Sequence, residues 1–459
     1  LAQRARERER LAEALGRPIE APERMGEQPP GQLYAAVHAY LARAPSSLMV
    51  VQLEDLLGQA EQANVPGTVS EHPNWRRKYA PDLRTMWRTP LLRQVLGAVA
   101  EARPPRSAAR IPRATYRLQL HKDFDFDAAA AIVPYLARLG ISHVYCSPIH
   151  RARPGSLHGY DVVAHDEINP ELGGMAAYRR LHHALEAHGM SQLVDLVPNH
   201  MGVLGGDNAW WNDVLEKGSA SAYAHFFDID WHAATPGLAG KVLLPVLGAP
   251  YGEVLARGEL SLAYEREHNR WWVRYFEHRF PVAPDSLFTG LRDALASGDE
   301  AALQGEIAAI NAPEGRDRMH ALLEAQAWRL AHWRCAADEI NYRRFFDVNE
   351  LAALRTERED VFEATHGLAL DLTAGGWVDG LRIDHPDGLL DPAGYFARLQ
   401  AGHAARLAAR GRMPAPLYVV AEKIPAAGED VPVSWAIDGT TGYRFANVAN
   451  GVLVDHRAA

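Results

Sequence analysis

A chain of 459 residues with 47% hydrophobic and 23% charged residues has a globular composition and exceeds the length that one hydrophobic core usually supports. Its 57 acidic and 48 basic residues give a net charge of -9, so no overall positive field would attract nucleic acid. No apolar stretch approaches the roughly 20 residues needed to cross a bilayer, which argues against a membrane partner. Cys146 and Cys335 have neither metal nor redox spacing, which favours a cytoplasmic location.

The first part of the chain combines helical patterns such as LYAAVHAYLAR with a loop rich in turn residues, and it ends in EARPPRSAARIPR. A segment rich in Pro and Arg is typical of a linker between domains. We therefore divide the chain into a first domain at 1–103, a linker at 104–112 and a second domain at 113–459. The chain begins with Leu1 and stops at Ala459 without a terminal signal, so we expect it to be a piece of a longer protein.

After the linker, strand and helix patterns alternate. The predicted strands are ATYRLQL (114–120), SHVYCSPI (142–149), QLVDLVP (192–198), WVDGLRI (377–383) and LYVVAEK (417–423). Strands separated by helices of this length indicate parallel βαβ units, which close into an open sheet or a barrel. The gap between the third and fourth strands is too long for one crossover, so we expect an inserted subdomain at about 205–345.

Polar residues follow these strands at their carboxyl ends. They are His158 and Tyr160 in HGYD, Asp195, Asn199 and His200 in DLVPNH, Arg382, Asp384 and His385 in RIDH, and Glu422 in AEK. In parallel α/β architectures, the carboxyl ends of the strands form the functional face. The pattern therefore predicts a functional site at this edge of the sheet.

Each of these residues also has a structural interpretation. Asp195 would equally serve as a buried structural acid, and Asn199 and His200 as caps of the following loop. Arg382 and Asp384 lie two apart on a strand and would form an internal ion pair. Buried pairs stabilise proteins weakly, because desolvation of both charges offsets their attraction. A pair at a strand end therefore favours function.

Two carboxyl groups on neighbouring strand ends suit glycosidic chemistry. If they lie roughly 5 to 5.5 Å apart, one attacks the anomeric carbon while the other first donates and later removes a proton. We hypothesise that Asp384 is the nucleophile and Glu422 the general acid/base. Arg382 would favour the ionised form of Asp384 through its positive charge. Tyr160 beside His158 offers a flat apolar surface that a sugar ring can cover.

The motifs DLVPNH, GLRIDHPDGL and VVAEKI resemble, in order and spacing, the conserved regions of the α-amylase superfamily, glycoside hydrolase family thirteen. The segments SHVYCSPIHRARPGSLHGYD, INYRRFFDVNELAALR and IDGTTGYRFAN resemble the maltooligosyltrehalose synthase family within it. The resemblance implies an α/β fold, a (β/α)8 TIM barrel with about the first five to six strands present. It implies a maltodextrin substrate whose reducing-end α-1,4 bond is converted to an α,α-1,1 bond, with no cofactor and no metal.

The resemblance also implies roles for individual residues. Asp384 would be the nucleophile, Glu422 the acid/base and Arg382 the partner of the nucleophile. The implied substrate-binding residues are His158, Tyr160, Asp195, Asn199, His200 and His385. Among them, His200 would bond the sugar at subsite -1 and Tyr160 would stack on it, whereas Asp195 would mainly order the site.

Two departures from the family pattern stand out. No motif before Ala459 matches the third carboxylate that the superfamily uses, since Asp438 and Asp455 stand in other contexts. Arg444 in TGYRF replaces the usual Asp. We therefore expect the chain alone to be inactive, with the third carboxylate beyond its end. An α-amylase-like hydrolase and a non-catalytic glucan-binding fragment are the alternatives, and exclusion of water from the site separates transfer from hydrolysis.

The first domain carries a second resemblance. MVVQLEDLLGQAEQANVPGTVSEHPNWRRKY is similar to the C-terminal end of the 4-α-glucanotransferase family. This implies that 1–103 is the α/β remnant of a second barrel, whose catalytic carboxylates would lie upstream of Leu1. We expect a fusion of two enzymes that both process maltodextrins.

Overall fold

The computed structural model describes residues 2–16, 31–44, 49–59, 84–102, 111–426 and 428–452, together with a few single positions. The chain forms two compact units, Leu1–Ala108 and Ala109–Ala459. The division falls inside the predicted linker, most of which lies outside the described residues. The domain boundaries proposed from the sequence stay predictions.

The described part of the first unit is helical. Its helices are α1 (Ala2–Leu15), α2 (Gly31–Ala42), α3 (Leu53–Leu57) and α4 (Pro90–Ala102), with a short 3-10 helix at Met86–Arg88. Helices α2, α3 and α4 contribute the buried residues Ala35, Leu56, Leu92 and Val95 to a small core. Any strand of the predicted α/β remnant would lie outside the described residues.

The second unit opens with alternating strands and helices, close to the predicted bounds. They are β1 (Thr115–Leu118), α5 (Phe126–Arg138), β2 (His143–Cys146), β3 (His150–Ala152), β4 (Val162–Ile168), α6 (Gly174–Ala187) and β5 (Ser191–Leu196). Asp125 caps α5, since its side chain accepts a hydrogen bond of 2.9 Å from the backbone of Ala128. The strands β3 and β4 form an antiparallel hairpin that carries the HGYD loop.

An insertion follows β5. Its elements are β6 (His200–Gly202), α7 (Ala209–Lys217), β7 (Val242–Leu247), α8 (Tyr251–Ala256), β8 (Leu260–Glu265), β9 (Arg270–Tyr275), β10 (His278–Pro281), α9 (Thr289–Ser297), α10 (Glu300–Asn311), α11 (Arg316–Glu324), β11 (Trp328–His332), α12 (Ala336–Glu339), β12 (Arg344–Phe345) and β13 (Val348–Ala353). They form three small sheets, ordered β10-β9-β8, β11-β7 and β12-β13-β6. A core of its own, which includes Trp211 and Trp271, gives the insertion independent packing.

The chain then returns to the main sheet. The elements are α13 (Glu359–Gly375), β14 (Gly380–Ile383), α14 (Pro392–Ala409), β15 (Tyr418–Ala421), β16 (Gly439–Thr440) and α15 (Tyr443–Val452). The main sheet has six parallel strands in the order β1-β2-β5-β14-β15-β16. This is the strand sequence of a TIM-type barrel short of the eight strands that close it.

The register of the central strands determines where the polar groups meet. Arg382 of β14 pairs with Asp195 of β5 on one side and with Val420 of β15 on the other. Every residue of β5 is buried, as is every residue of β14. Parallel strands covered on both faces are normally apolar throughout. The buried charges of Asp195 and Arg382 are therefore unusual and need partners.

None of the helices in the described ranges is long and apolar enough to span a membrane. The cytoplasmic location expected from the sequence stays a prediction.

Candidate active site

The guanidinium of Arg382 lies among three carboxylates. Its Nη1 donates to Oδ1 of Asp195 at 2.7 Å and to Oδ1 of Asp384 at 2.6 Å. Its Nη2 lies 2.9 Å from Oε1 of Glu422. Burial disfavours the charge of Arg382, but its neighbours, Asp195 foremost and then Tyr145 and Asp384, outweigh this effect and raise its pKa. The ends of β5, β14 and β15 thus meet on a single cation.

Asp384 is buried with its neighbours. Its pKa is raised to about 7: burial is the largest cause, the negative charges of Asp195 and Glu422 act in the same direction, and Arg382 opposes them. The sequence interpretation considered only the effect of Arg382. The structure adds the burial of Asp384, which is the largest cause, and the buried acid Asp195 beside it, and together they outweigh Arg382.

Asp195 has no solvent exposure and is saturated with donors. Its Oδ2 accepts hydrogen bonds of 2.6 Å from the hydroxyls of both Tyr145 and Tyr160, and Nη1 of Arg117 lies 3.5 Å away. Burial still raises the pKa of Asp195, although Arg382 and the two tyrosines lower it. Asp195 therefore fixes the positions of Arg382 and Tyr160 rather than facing the cavity itself.

Asn199 and His200 connect the loop after β5 to its neighbours. Nδ2 of Asn199 donates to the backbone oxygens of Asp384 at 3.3 Å and His385 at 3.1 Å. The ring of His200 contacts the side-chain oxygen of Asn199 through Nδ1 and the backbone oxygen of Tyr160, at 3.1 Å, through Nε2. Burial lowers the pKa of His200 to about 4, so its ring is neutral near pH 7.

The backbone of His385 is left-handed, with φ of +41°. Residues other than glycine rarely adopt this conformation, and where they do they cluster at functional sites. Here it turns the chain so that the N–H of His385 donates to Oε2 of Glu422 at 3.1 Å. Its ring packs 5.1 Å from that of Phe346 and 5.3 Å from that of Phe345.

A cavity of about 480 Å³ opens over these groups, within the range of ordinary ligand sites. It is lined by Tyr160, His200, Phe345, Phe346, Leu351, Arg382, Asp384, His385, Asp387, Glu422 and Ile424. Of the predicted residues, Asp195 and Asn199 lie behind this lining, where they bond to lining residues. His158 is not part of it: its exposed ring stacks 6.1 Å from that of Tyr160.

The sequence interpretation missed part of the lining. Phe345 and Phe346 reach the cavity from the β12–β13 hairpin of the insertion, because β13 pairs with β6 next to His200. The aromatic pair in INYRRFF was the available signal. Arg117 on β1 and Tyr145 on β2 were also missed. The hydroxyl of Tyr145 within the otherwise buried strand β2 was an available signal, whereas Arg117 lies on a largely exposed strand.

Among the described residues, no group of three or more His, Cys, Asp or Glu side chains has an arrangement that could hold a metal ion. The cavity is lined by carboxylates, one guanidinium, the imidazoles of His200 and His385, the ring of Tyr160 and an apolar wall of Phe345, Phe346, Leu351 and Ile424.

Comparisons with known proteins show which families the chain is similar to. Residues 125–281 match the family model described as the catalytic domain of alpha amylase. Over this range the second unit is similar to the α-amylase superfamily. Residues 1–84 match the family model described as 4-alpha-glucanotransferase. Both resemblances noted in the sequence are confirmed, and so is the incomplete TIM-barrel fold.

The comparisons also found individual relatives that are described as maltooligosyltrehalose synthases. A putative maltooligosyl trehalose synthase of Mycobacterium tuberculosis (strain ATCC 25618 / H37Rv) is 37% identical over 355 residues, which cover 74% of this chain and 38% of the relative. The structure of maltooligosyltrehalose synthase from Arthrobacter ramosus is 38% identical with a TM-score of 0.61, covering 75% of this chain and 39% of that one. A hypothetical maltooligosyl trehalose synthase of Sulfolobus tokodaii is 34% identical with a TM-score of 0.58, covering 74% and 39%. The chain thus spans less than half the length of these relatives.

Proposed function

We propose that the protein rearranges maltodextrins, converting the reducing-end α-1,4 bond to an α,α-1,1 bond by a retaining double displacement. The observation that carries this proposal is the contact of one guanidinium, that of Arg382, with both Asp384 and Glu422 at the base of a cavity. Two carboxyl groups of opposite role are what retaining glycosidic chemistry requires. The similarity to maltooligosyltrehalose synthases supports the choice of reaction.

In the first step, an oxygen of Asp384 bonds to the anomeric carbon of the penultimate glucose as the bond to the reducing-end glucose breaks. Glu422 gives its proton to the departing oxygen. In the second step, the anomeric hydroxyl of the freed glucose attacks the same carbon, the bond to Asp384 breaks, and Glu422 takes the hydroxyl proton. No water is consumed, and each carboxyl group ends as it began.

Arg382 balances the charge of the site throughout. Its Nη1 remains beside Asp384 when that carboxylate attacks, and its Nη2 remains beside Glu422 when that group has lost its proton. Asp195 and the hydroxyls of Tyr145 and Tyr160 hold the guanidinium and the Tyr160 ring in place. Geometry fixed before the reaction avoids reorganisation during it.

Transfer rather than hydrolysis requires that the freed glucose stay in the cavity and that water be kept out. Phe345 and Phe346 from the insertion, with Leu351 and Ile424, supply an apolar wall suited to this task. A glucose ring offers its C–H faces to such a wall and its hydroxyls to His200 and His385.

For the first unit we propose descent from a 4-α-glucanotransferase, on the basis of the match over residues 1–84. Both units would then belong to enzymes of maltodextrin metabolism. We expect the glucanotransferase to adjust the lengths of maltodextrin chains and the second enzyme to consume chains of suitable length.

The test is to incubate the full-length protein with maltopentaose and to measure reducing ends and free glucose over time. The proposal predicts that the number of reducing ends decreases, whereas adjustment of chain lengths by a 4-α-glucanotransferase would leave that number unchanged. A steady increase in reducing ends would favour the hydrolase instead. Binding of maltopentaose without any change in reducing ends would favour a non-catalytic glucan-binding protein.

A further inference from the structure

Lys423 directly follows Glu422 at the end of β15, and its ammonium is enclosed. The side chain is 13% exposed. Nζ donates to Oδ2 of Asp387 at 2.9 Å and lies 2.6 Å from Oε1 of Glu429. These two hydrogen bonds raise the pKa of Lys423, and the bond to Glu429 has the larger effect. The charge of Lys423 is therefore permanent at neutral pH.

The two partners of Lys423 belong to different loops. Asp387 lies in the 3-10 turn Pro386–Gly388, directly after the loop residues Asp384 and His385. Glu429 lies in the loop that follows β15, where its Oε2 accepts a hydrogen bond of 2.8 Å from the backbone of Ala426. The ammonium therefore joins the loop that carries the nucleophile to the loop that carries the proton donor.

The same junction determines the environment of the Glu422 carboxyl group. Oε2 accepts from the backbone N–H of His385, and the left-handed conformation of His385 aims that N–H. An unfavoured backbone conformation persists only where its surroundings hold it. Next to His385, the turn Pro386–Gly388 is held by the bond from Lys423 to Asp387 and by the pairing of Asn199 with the His385 carbonyl.

We propose that Lys423 is a positioning residue for Glu422: by joining the two loops it fixes the His385 N–H that orients the proton donor. This inference rests on the proposed function, in which Glu422 protonates the departing oxygen. Lys423 itself does not line the cavity, whereas its partner Asp387 does. Lys423 therefore affects the reaction through the position of Glu422. Loss of the junction should impair the proton transfer more than the attack by Asp384.

Leaving groups of different basicity separate these two effects. When maltopentaose is cleaved, the departing sugar oxygen needs a proton. When α-maltotriosyl fluoride is cleaved, the departing fluoride has little need of one. For K423M in the full-length protein, we expect turnover of maltopentaose to fall by roughly 10- to 100-fold, since a misplacement of about 1 Å can cost this much. The first-turnover rate of fluoride release should change by less than about threefold, because proton donation adds little to that step. K423R should recover most of the loss.

Lys241 provides a matched control in the insertion. Its side chain is 17% exposed, its Nζ donates to the backbone oxygen of Glu324 at 2.6 Å, and it does not line the cavity. K241M should leave both rates near those of the wild type. If K423M folds poorly, judged by its thermal midpoint, Glu429→Gln tests the same junction, and it should show the same selective loss at smaller size.

The outcomes are distinct. A larger loss with maltopentaose than with the fluoride supports the positioning role. The positioning role would be overturned if K423M and Glu429→Gln both lost equal rates with the two substrates, or if both kept wild-type rates with the two substrates. Either result would leave the proposed function intact. A wild-type protein that rearranges no maltopentaose and releases no fluoride would overturn the proposed function and this inference together.

Discussion

The Nη1 atom of Arg382 lies 2.7 Å from Asp195 and 2.6 Å from Asp384, so one nitrogen connects the acid of β5 to the acid that follows β14. Both carboxylates are almost fully buried. Each would be costly to hold in the interior without the guanidinium, because an unpaired buried charge loses its hydration without compensation.

Replacing Arg382 with Met should therefore destabilise the protein strongly. Removing one partner of a buried ion pair costs about 3–5 kcal/mol, and here the two remaining acids would also repel each other. The free energy of unfolding from urea titrations measures the loss. Arg180→Met is the control, because Arg180 forms a two-contact pair with Asp127 at 2.7 Å on the surface. Similar losses in the two variants would contradict the importance of the buried cluster.

Tyr145→Phe should lower the free energy of unfolding more than Tyr342→Phe does, because Tyr145 supports a charged residue of the site. The hydroxyl of Tyr145 donates to Asp195 but does not line the cavity. A hydrogen bond to a charged group contributes about 1.5–3 kcal/mol, whereas one between neutral groups contributes about 0.5–1.5 kcal/mol. Tyr342→Phe removes a bond of the second kind, to the backbone oxygen of Asn349 at 2.7 Å. A larger loss of unfolding free energy in Tyr342→Phe than in Tyr145→Phe would contradict a charged Asp195.

The stability of the protein should depend on buried neutral histidines. Burial lowers the pKa of His150 to about 4, that of His366 to about 3, and that of His165 well below its usual value. As the pH falls below about 6.5, the unfolded chain takes up protons at these rings and the folded chain does not. Their contribution to the free energy of unfolding therefore decreases from pH 6.5 down to their folded pKa values, by up to about 1.4 kcal/mol per pH unit for each ring.

Asp384 acts in the opposite direction, because its pKa is raised to about 7 and the folded chain takes up that proton first as the pH falls. His165→Phe isolates the histidine effect. Both ring nitrogens of His165 are buried without a hydrogen-bond partner in the described structure, and the ring stacks 6.3 Å from Trp210. Urea titrations between pH 7 and pH 5 should show a shallower loss of stability in this variant. An unchanged slope would mean that His165 does not titrate as described.

Much of the candidate site could be predicted from the sequence, because polar residues that interrupt apolar strands at their carboxyl ends meet at one edge of a parallel sheet. Asp384, Arg382 and Glu422 were placed in this way, and the structure brings them into contact. Phe345 and Phe346 could not be placed, because their position depends on the pairing of β13 with β6 across the whole insertion. The aromatic pair in INYRRFF marks these residues as candidates, but no local pattern places them at the cavity.

The burial of Asp195 illustrates a second limit. The sequence allowed either a structural acid or a ligand of the sugar. The hydroxyls of Tyr145 and Tyr160, from two separate segments, both donate to its Oδ2, which favours the structural role. Which side chains saturate a buried acid depends on packing between distant segments, which the local pattern around QLVDLVP does not contain.

The central claim is that Asp384 forms a bond with the substrate while Glu422 handles the proton. The most direct test uses Glu422→Gln in the full-length protein with α-maltotriosyl fluoride, which needs little help to lose its leaving group but leaves an intermediate that departs slowly without the base. Peptide mass spectrometry should find a maltotriosyl group on the peptide that contains Asp384, and Asp384→Asn added to this variant should abolish it. An adduct on another carboxylate, or one that persists in the double variant, would contradict the account.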